Sequence, residues 1–548
     1  MFNPQLLLSN NSEPANIGWV CSTVPCNLGY GNRIAVSMVK KGDLTLETLS
    51  YQELEDQSNQ VANLLTGYGL SMGSLLYIYL PKIIDYYPAF LGALKAGIRV
   101  CPLFSNFGPE ALADRIGGNQ TTAILTISSL LPRLKKALHD SLTLPIVFVL
   151  DWEADQEAPF KAYRPNLSQQ SKVFNPLSVE DYTPSVLHYT SGSTGKPKGV
   201  QHVHKAVRGI QKAFLEVMKP SPDDIYWCTA DPSWVVGVSY GIIAPLSLGM
   251  NLLQFEGVFN AQEWMKIIER YGVNILYSAP TVFRMMMRDE TIDFSQNDFS
   301  QLKAIFSTGE PLNPEIYHWG VKNFGQKIYD VWYQTETASP QVANTPDIPV
   351  KPGSMGKAVQ GIEVVIMDEQ GKVCKPGIPG KLTIKAPWDS MFVAYLGRED
   401  LYNAKFKNGY YYTGDLARMD EDGYFWFLGR DDDIINTSGH LVSPIEVESC
   451  LIELAEVADV AVIGAPDALT WEKVVAFVKL AKNVEWNKKT ELKFKTHVFN
   501  RVSSLAMPSD IVVIDNIPKT NSGKIMRRLL KRIYLGEDPG DIYSLEEA

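Results

Sequence analysis

Short apolar runs alternate with longer amphipathic segments along the chain between about Leu44 and Pro387. The run SLLYIYLP, which begins at Ser74, predicts a buried strand, and DYYPAFLGALKAG, which begins at Asp85, predicts the helix that follows it. TAILTIS, LPIVFVLD and VNILYSAP predict further short strands. Strand and helix in alternation are typical of α/β proteins. The pattern therefore predicts the α/β class.

The pattern changes twice towards the C-terminus. From Gly353 to Ile384 it becomes short strands punctuated by glycine, which predicts a small β unit. After the segment GYFWFLGRDDDIINTSGH it predicts a compact α/β unit of roughly 110 residues. We place the boundary between these parts within residues 430–433, where DDD reads as a solvated connector.

Composition narrows the classes of function. The 548 residues include 51 Lys and Arg against 61 Asp and Glu, and this balance of -10 argues against a nucleic-acid-binding protein. The six cysteines are scattered without a CxxC pair, which indicates reduced thiols and neither a disulfide framework nor a zinc site. Since no basic, apolar leader is visible, we expect a cytoplasmic location.

One uncharged stretch, residues 232–255, is long enough to cross a bilayer. It contains Pro245, Gly237, Gly241 and Gly249, which fit a buried core helix and turn better than a lipid-exposed helix. We therefore expect no membrane span.

The segment YTSGSTGKPKG, residues 189–199, reads as a loop that cradles phosphate. Its glycines let backbone N–H groups approach an anion, and its lysines supply positive charge. A flexible linker is the alternative, but linkers seldom follow a buried run such as SVLHY. The spacing also differs from that of a Walker loop. The candidate phosphate ligands are Thr190, Ser191, Gly192, Ser193, Thr194, Gly195, Lys196 and Lys198.

Five further segments follow this loop along the chain. They are STGEP (307–311), WYQTET (332–337), YYTGDLA (411–417), GRDDDIINTSGH (429–440) and PKTNSGKIMRR (518–528). Together with the loop they resemble, in order and over nearly the whole chain, the acyl-adenylate-forming superfamily of acyl-CoA synthetases, peptide-synthetase adenylation domains and luciferases. Within it, DPSWVVGVSYGIIAPL and FEG are most similar to acetyl-CoA synthetases and their short- and medium-chain relatives.

The resemblance implies a fold and a reaction. Residues 1–431 would form an N-terminal adenylation domain of two α/β sheets and a small β-barrel-like unit, and residues 432–548 a small mobile α+β domain, with Asp432 as the hinge. The reaction would use ATP and Mg²⁺ to convert a carboxylic acid into acyl-AMP with release of pyrophosphate, after which the thiol of coenzyme A displaces AMP. Both steps concentrate negative charge, so the site needs cations and N–H donors.

The resemblance also assigns roles to individual residues. Thr335 would contact the α-phosphate, Glu336 would hold Mg²⁺, and Lys524 would serve adenylation as the catalytic lysine. Asp415 would accept hydrogen bonds from the ribose hydroxyls, and Arg430 would contact ribose or phosphate. The remaining nucleotide ligands would be Gly309, Glu310, Pro311, Asp330, Val331, Trp332, Tyr333 and Gln334, while Ser438 and Gly439 would lie beside coenzyme A.

Each of these assignments has a plainer alternative. Glu336 taken alone reads as a solvated surface acid, and Asp415 as a cap of a helix or turn. Lys524 reads as one more basic residue ahead of a helix on which Leu529 and Ile533 recur at helical spacing. If Lys524 is catalytic, acetylation of its amine would disable the first step.

By the same resemblance the acyl pocket would be formed by Trp234, Val235, Val236, Thr308 and Tyr333. A phenol ring at position 333 should block a long chain, so we expect a short acid, from acetate to about butyrate. Two positions depart from the family pattern: Leu441 stands where an arginine is common, and Leu454 where acetate enzymes carry a histidine metal ligand.

Three other functions remain open on the sequence. The acid could be of medium chain length, the thiol could belong to a carrier protein, or the chain could be a non-catalytic sensor of acyl nucleotides. The uncharged Val-Val-Gly-Val after Trp234 argues against an amino acid as substrate. Retention of Lys524, Glu336 and Asp415 together argues against a sensor.

Overall fold

The structure is a computed structural model. It describes residues 15–116, 123–139, 144–156, 158–190, 197–221, 223–289, 291–437, 440–467, 469–519 and 525–538. The strands in these ranges are, in chain order, β1 (Ile34–Val39), β2 (Leu46–Ser50), β3 (Leu75–Tyr79), β4 (Arg99–Leu103), β5 (Ala123–Thr126), β6 (Ile146–Val149), β7 (Phe160–Ala162), β8 (Pro184–Thr190), β9 (Lys198–Val203), β10 (Ile225–Cys228), β11 (Asn251–Phe255), β12 (Ile275–Ser278), β13 (Ala304–Ser307), β14 (Ile328–Trp332), β15 (Val342–Ala343), β16 (Lys357–Ala358), β17 (Val364–Met367), β18 (Gly380–Lys385), β19 (Ala394–Tyr395), β20 (Phe406–Lys407), β21 (Tyr410–Met419), β22 (Phe425–Arg430), β23 (Ile435–Thr437), β24 (His440–Val442), β25 (Val457–Asp467), β26 (Trp471–Leu480) and β27 (Asp510–Val513).

The α-helices in the same ranges are α1 (Tyr51–Gly67), α2 (Tyr86–Lys95), α3 (Pro109–Ile116), α4 (Leu131–Ala137), α5 (Tyr163–Ser168), α6 (Ala206–Met218), α7 (Val235–Val238), α8 (Ala244–Ser247), α9 (Ala261–Arg270), α10 (Pro280–Arg288), α11 (Pro314–Phe324), α12 (Glu399–Ala404), α13 (Pro444–Ile452), α14 (Lys488–Arg501) and α15 (Arg527–Leu535). Short π-helical or 3-10 turns occur at Trp19–Thr23, Cys26–Tyr30, Ser128–Leu130, Ser239–Ile243 and Phe294–Gln296.

Two large sheets, each with a parallel centre, form most of the molecule. The first has nine strands in the order β16-β15-β14-β13-β12-β10-β11-β1-β2, and its neighbours from β14 to β1 run parallel. The second has eight strands in the order β19-β9-β8-β4-β3-β5-β6-β7 and is parallel from β8 to β7. Helices connect the parallel strands, as the alternating pattern in the sequence predicts.

One apolar cluster joins the two sheets. It contains Val36 and Leu252 of the first sheet, Ile78 and Val100 of the second, and the buried faces of α1, α2 and α6. Every residue of α2 is buried, which explains why its sequence is apolar on all sides except at Lys95, whose ammonium forms an ion pair with Glu55. The two sheets therefore share one helical layer.

Two smaller sheets complete the fold. The third is antiparallel and has five strands, β17-β18-β21-β20 with β22 beside β21. The fourth has β24-β23-β26-β25 with β27 beside β26. These sheets confirm the predicted fold class, a large N-terminal domain of sheets followed by a smaller C-terminal domain. The third sheet ends at Arg430 and the fourth begins at Ile435, so we keep the division at 431/432 as a proposal.

The uncharged stretch at residues 232–255 folds inside the protein. It forms α7, a π-helical turn, α8 and the strand β11, and most of its residues are buried. In the part of the chain that the structure describes, no helix has the length and apolar character needed to cross a membrane.

The last described helix, α15, differs in detail from the sequence pattern. Leu529 is buried as predicted, but Ile533 is 50% exposed and Leu530, at 1% exposed, takes its place in the core. Its first residue, Arg527, is not solvated: its NH2 group lies 2.6 Å from both carboxylate oxygens of Glu448. One residue of the basic face of this helix, Arg527, therefore forms an internal ion pair.

The first sheet also buries a carboxyl group, that of Asp330 on β14, which is 6% exposed. Burial raises the pKa of Asp330 to about 7, although the backbone N–H groups of Leu312 and Val331 lower it in part. Between about pH 4 and pH 7 the folded protein therefore holds a proton that the unfolded chain has released. Folding stability must fall as pH rises through this window.

Replacing Asp330 by Asn should remove this penalty. We expect the stability of Asp330→Asn relative to the wild type to rise by about 1 to 4 kcal/mol between pH 5 and pH 8. Thermal or urea unfolding at several pH values measures it. Asp298→Asn is the control, because that carboxylate is exposed and its pKa is lowered. If the difference in free energy of unfolding between the wild type and Asp330→Asn does not change with pH, the pKa assigned to Asp330 is wrong.

Candidate functional site

The candidate site begins where β13 and β14 end. These neighbouring strands run parallel, so the segments that follow them, residues 308–311 and 333–336, leave the sheet at the same edge. The hydroxyl of Thr308 donates to the carbonyl oxygen of Val331 at 2.6 Å and ties the two segments together. Ligands of open α/β sheets bind at this carboxyl edge. A cavity of about 270 Å³ lies here.

Ten of the residues that the sequence singled out as nucleotide ligands line this one cavity, together with the acyl-pocket candidate Thr308. The first sheet contributes Thr308, Gly309, Glu310, Pro311, Asp330, Val331, Trp332, Tyr333 and Gln334, and the third sheet contributes Asp415 and Arg430. From the C-terminal part, Glu448, Asp459, Lys519, Ile525 and Arg527 also line it. The cavity therefore lies between three structural units.

Asp415 is the most tightly held carboxylate of the site. It lies on β21, is 4% exposed and accepts hydrogen bonds from Trp332 Nε1 at 3.1 Å, Gln334 Nε2 at 2.9 Å and Arg430 NH1 at 3.1 Å. The hydroxyl of Tyr411 in turn holds the amide oxygen of Gln334. Asp415 thus lies within a strand, and both of its carboxylate oxygens accept from side chains.

Arg430, the last residue of β22, connects the cavity with the candidate hinge. Its side chain pairs with Asp415 and lies 3.5 Å from a carboxylate oxygen of Asp432. Burial works to lower the pKa of Arg430, but the carboxylates of Asp415, Asp432 and Glu336 raise it above its ordinary value. Arg430 is therefore a permanent cation at the cavity wall, while Asp432 is 52% exposed.

Thr335 and Glu336 lie just outside the cavity lining. The ring of His202 donates from Nε2 to the carbonyl oxygen of Thr335 at 2.8 Å, and burial lowers the pKa of that histidine to about 4, so the ring is neutral at pH 7. The hydroxyl of Tyr395 donates to Glu336 Oε1 at 2.7 Å. These contacts fix the segment after β14 without neutralising the charge of Glu336.

Several contacting residues were missed by the sequence analysis. Tyr395 reaches Glu336 because β19 pairs with β9 across nearly two hundred residues of chain. Arg284, at α10, forms an ion pair with Glu310, whose other oxygen accepts from the hydroxyl of Thr281 at 2.5 Å. Neither residue stands in a motif, and no local signal in the sequence marks them.

The five acyl-pocket candidates divide into two groups. Thr308 and Tyr333 line the cavity, and the ring of Tyr333 packs 5.7 Å from that of Tyr240. Trp234 packs near Phe104 with ring centroids 6.1 Å apart, outside the cavity lining. Val235 and Val236 pack against the same core cluster as Tyr333.

The remaining predicted site residues fall at or beyond the edges of the described ranges. Ser191, Gly192, Ser193, Thr194, Gly195, Lys196, Ser438, Gly439 and Lys524 lie outside the described residues. Thr190 and Lys198, which bracket the first of these segments, face each other on β8 and β9. Lys519 and Ile525, which bracket Lys524, form a β-bridge and line the cavity.

Comparisons with known proteins agree with this geometry. Residues 28–396 match the AMP-binding enzyme family and residues 446–524 the AMP-binding enzyme C-terminal domain. Acetyl-coenzyme A synthetase of Bacillus subtilis (strain 168) is 40% identical over 505 residues, which cover 91% of this chain and 88% of that protein. Acetyl-coenzyme A synthetase of Rubrobacter xylanophilus is 35% identical and covers 97% of this chain and 88% of its own length.

Solved structures show the same likeness. An acyl-CoA synthetase of Brucella canis superposes with a TM-score of 0.75 at 31% identity and covers 97% of this chain and 96% of its own. An anthranilate CoA ligase in complex with anthranoyl-AMP has a TM-score of 0.86 at 24% identity, covers 95% of this chain and 98% of its own, and shares the fold. The chain belongs to the AMP-binding enzyme family.

Proposed function

We propose that the protein is an ATP-dependent, AMP-forming acyl-CoA synthetase that acts on short aliphatic acids. The observation that carries this proposal is the convergence of Asp415, Arg430 and the segments after β13 and β14 on one cavity. Relatives that are acetyl-CoA synthetases align over most of their own length. They favour coenzyme A as the thiol over a carrier protein.

The first step joins the acid to AMP. The acid's carboxylate oxygen attacks the α-phosphorus of ATP, the bond to the β-phosphate oxygen breaks, and pyrophosphate leaves. Asp415 would hold the ribose hydroxyls, and the backbone at Gly309 and Pro311 would flank the adenine. Arg430 and the Thr335 hydroxyl would face the α-phosphate, where negative charge develops in the transition state.

Lys524 would act only in this first step. It stands between Lys519 and Ile525, which both line the cavity. An ammonium at this place would bring together two anions, the acid and the α-phosphate, that otherwise repel each other. Acetylation of Lys524 would remove the charge and switch this step off.

Glu336 fits the role of a Mg²⁺ ligand. Its Oε1 accepts from Tyr395, and among the described residues no lysine or arginine lies within ion-pair distance of it. The described ranges hold no cluster of three or more His, Cys, Asp or Glu suited to a metal. This matches an ion that binds through one carboxylate together with substrate phosphates and water. Mg²⁺ would offset phosphate charge there.

In the second step the thiolate of coenzyme A attacks the acyl carbonyl carbon. The bond between that carbon and the phosphate oxygen breaks, and AMP leaves with the bonding electron pair. We propose that Ser438 and Gly439 lie beside the pantetheine in this step. Rotation of residues 432–548 about Asp432 would move Lys524 away from the cavity and bring Ser438 and Gly439 to it. Arg430 contacts both Asp415 and Asp432 and would therefore lie at the pivot of this movement.

Pyrophosphate release with ATP and Mg²⁺ tests the proposal across straight-chain acids from acetate to dodecanoate, with and without coenzyme A. We expect the highest kcat/KM between acetate and butyrate, because the Tyr333 ring would block a longer chain. We also expect turnover to require coenzyme A as the acceptor of the acyl group. A maximum at octanoate or longer would contradict the short-chain assignment. Acid-dependent pyrophosphate release without coenzyme A turnover would point to a carrier-protein thiol.

Lys524→Ala serves as the diagnostic variant in the same assay. It should lose pyrophosphate release by about a hundredfold or more, while thioester formation from preformed acyl-AMP is retained. Lys489→Ala, an exposed lysine of α14, should leave both steps unchanged. Equal loss of both steps in Lys524→Ala would overturn the role assigned to this lysine.

Chain length should respond to the ring at position 333. We expect Tyr333→Gly to raise the ratio of kcat/KM for octanoate over acetate by at least about tenfold, since each added methylene in an apolar pocket contributes about 1–3 kcal/mol. Tyr333→Phe, which keeps the ring, is the control and should leave the ratio near the wild-type value. If Tyr333→Gly folds and the ratio does not move, the ring does not bound the acyl pocket.

A further inference from the structure

Lys405 is a half-buried cation that no motif marks and that the reaction described above does not use. It follows the last residue of α12, and its backbone is fixed at both ends. Its N–H donates to the carbonyl oxygen of Tyr402 at 3.0 Å, and its own carbonyl oxygen accepts from the N–H of Tyr412 at 2.8 Å. The position of this side chain is therefore set by both α12 and β21.

The ammonium of Lys405 reaches the turn that presents Asp415. Its Nζ donates to the carbonyl oxygen of Thr413 at 3.3 Å. The next residue, Gly414, has a φ of 81°, and a Cβ there would lie 3.4 Å from Lys405 Nζ and 3.2 Å from Arg430 NH2. Glycine at 414 thus permits a strained backbone and lets two cations approach each other.

Charges of both signs surround this ammonium. Burial lowers the pKa of Lys405, the carboxylates of Glu336 and Asp415 raise it, and the cations Arg430 and Lys198 lower it, with a lowered pKa as the result. Among the described residues no carboxylate lies within ion-pair distance of Lys405. The ammonium is therefore partly desolvated and lacks an anion in direct contact.

Such an arrangement is costly unless a further anion completes it. A desolvated cation next to other cations gains most from negative charge that arrives from outside. Asp415 is already occupied by Trp332, Gln334 and Arg430, and Glu336 accepts from Tyr395. The missing negative charge is thus expected from a ligand at the carboxyl edge of the first sheet.

We propose that Lys405, which lies outside the cavity lining and shares Gly414 as a neighbour with Arg430, is a positioning residue for the phosphate groups of the bound nucleotide and adds a positive charge to that of Arg430. Its charge would attract the phosphates electrostatically, and its hydrogen bond to the Thr413 carbonyl oxygen fixes the turn that bears Asp415. The inference rests on the proposed function and deepens it. Removing one cation from the surroundings of a partly desolvated phosphate is expected to lower affinity by about tenfold or more.

The test compares calorimetric titrations with AMP and with adenosine, which lacks the phosphate. Lys405→Gln keeps a hydrogen-bond donor for Thr413 and removes the charge, whereas Lys405→Arg keeps both. Lys407→Gln is the matched control, because Lys407 lies two residues away and is exposed. We expect AMP affinity to fall about tenfold or more in Lys405→Gln, to recover largely in Lys405→Arg, and to stay unchanged in Lys407→Gln. Adenosine affinity should be the same in all four proteins.

Every other outcome contradicts either the proposed function or the role proposed for Lys405. If wild type binds neither AMP nor adenosine, the proposed function fails. If wild type binds AMP and Lys405→Gln binds it equally well, Lys405 has no role at the phosphates. If AMP and adenosine affinities fall together in Lys405→Gln, the lysine only supports the fold of the turn, and the proposal is wrong. Should Lys405→Gln not fold, Lys405→Met removes the charge and the Thr413 hydrogen bond together, and the ratio of AMP affinity to adenosine affinity then decides: it should fall about tenfold or more, and an unchanged ratio would overturn the proposal.

Discussion

A buried carboxylate must be matched by hydrogen-bond donors, and in this protein that requirement falls on Asp415. Its oxygens accept from Trp332 and Gln334, which belong to the first sheet and the segment after it, and from Arg430 of the neighbouring strand in the third sheet. One side chain thus holds two sheets at a fixed distance. If the donors were lost, an uncompensated charge would remain in a site that is 4% exposed.

The same arrangement makes the site sensitive to charge. Arg430 contacts both Asp415 and Asp432, Lys405 donates to the turn that bears Asp415, and the carboxylate of Glu336 accepts from the hydroxyl of Tyr395. A ligand that brings phosphate, a cation and an acid together would be met by groups already in place. Preorganised charges of this kind need little rearrangement when the reaction proceeds.

The sequence predicts the α/β class, the small β unit and several strands, among them β3, β5, β6 and β12, because apolar runs between turns are local signals. It also marks the segments after β13 and β14, of which residues 308–311, Tyr333 and Gln334 line the cavity. The sequence does not predict the roles of Tyr395, Arg284 and Lys405. These residues reach the site through strand pairing and side-chain contacts between distant parts of the chain. Leu529 and Ile533 recur at helical spacing, but Leu529 and Leu530 are buried and Ile533 is exposed, because burial on a short end helix depends on its neighbours.

A crystal structure of the protein with AMP tests the central claim most directly. We predict that both ribose hydroxyls lie within hydrogen-bond distance of the Asp415 carboxylate, with the adenine beside Gly309 and the phosphate on the side of Arg430. AMP bound at another place, or bound in this cavity with its ribose away from Asp415, would contradict the claim that this buried carboxylate organises the nucleotide site.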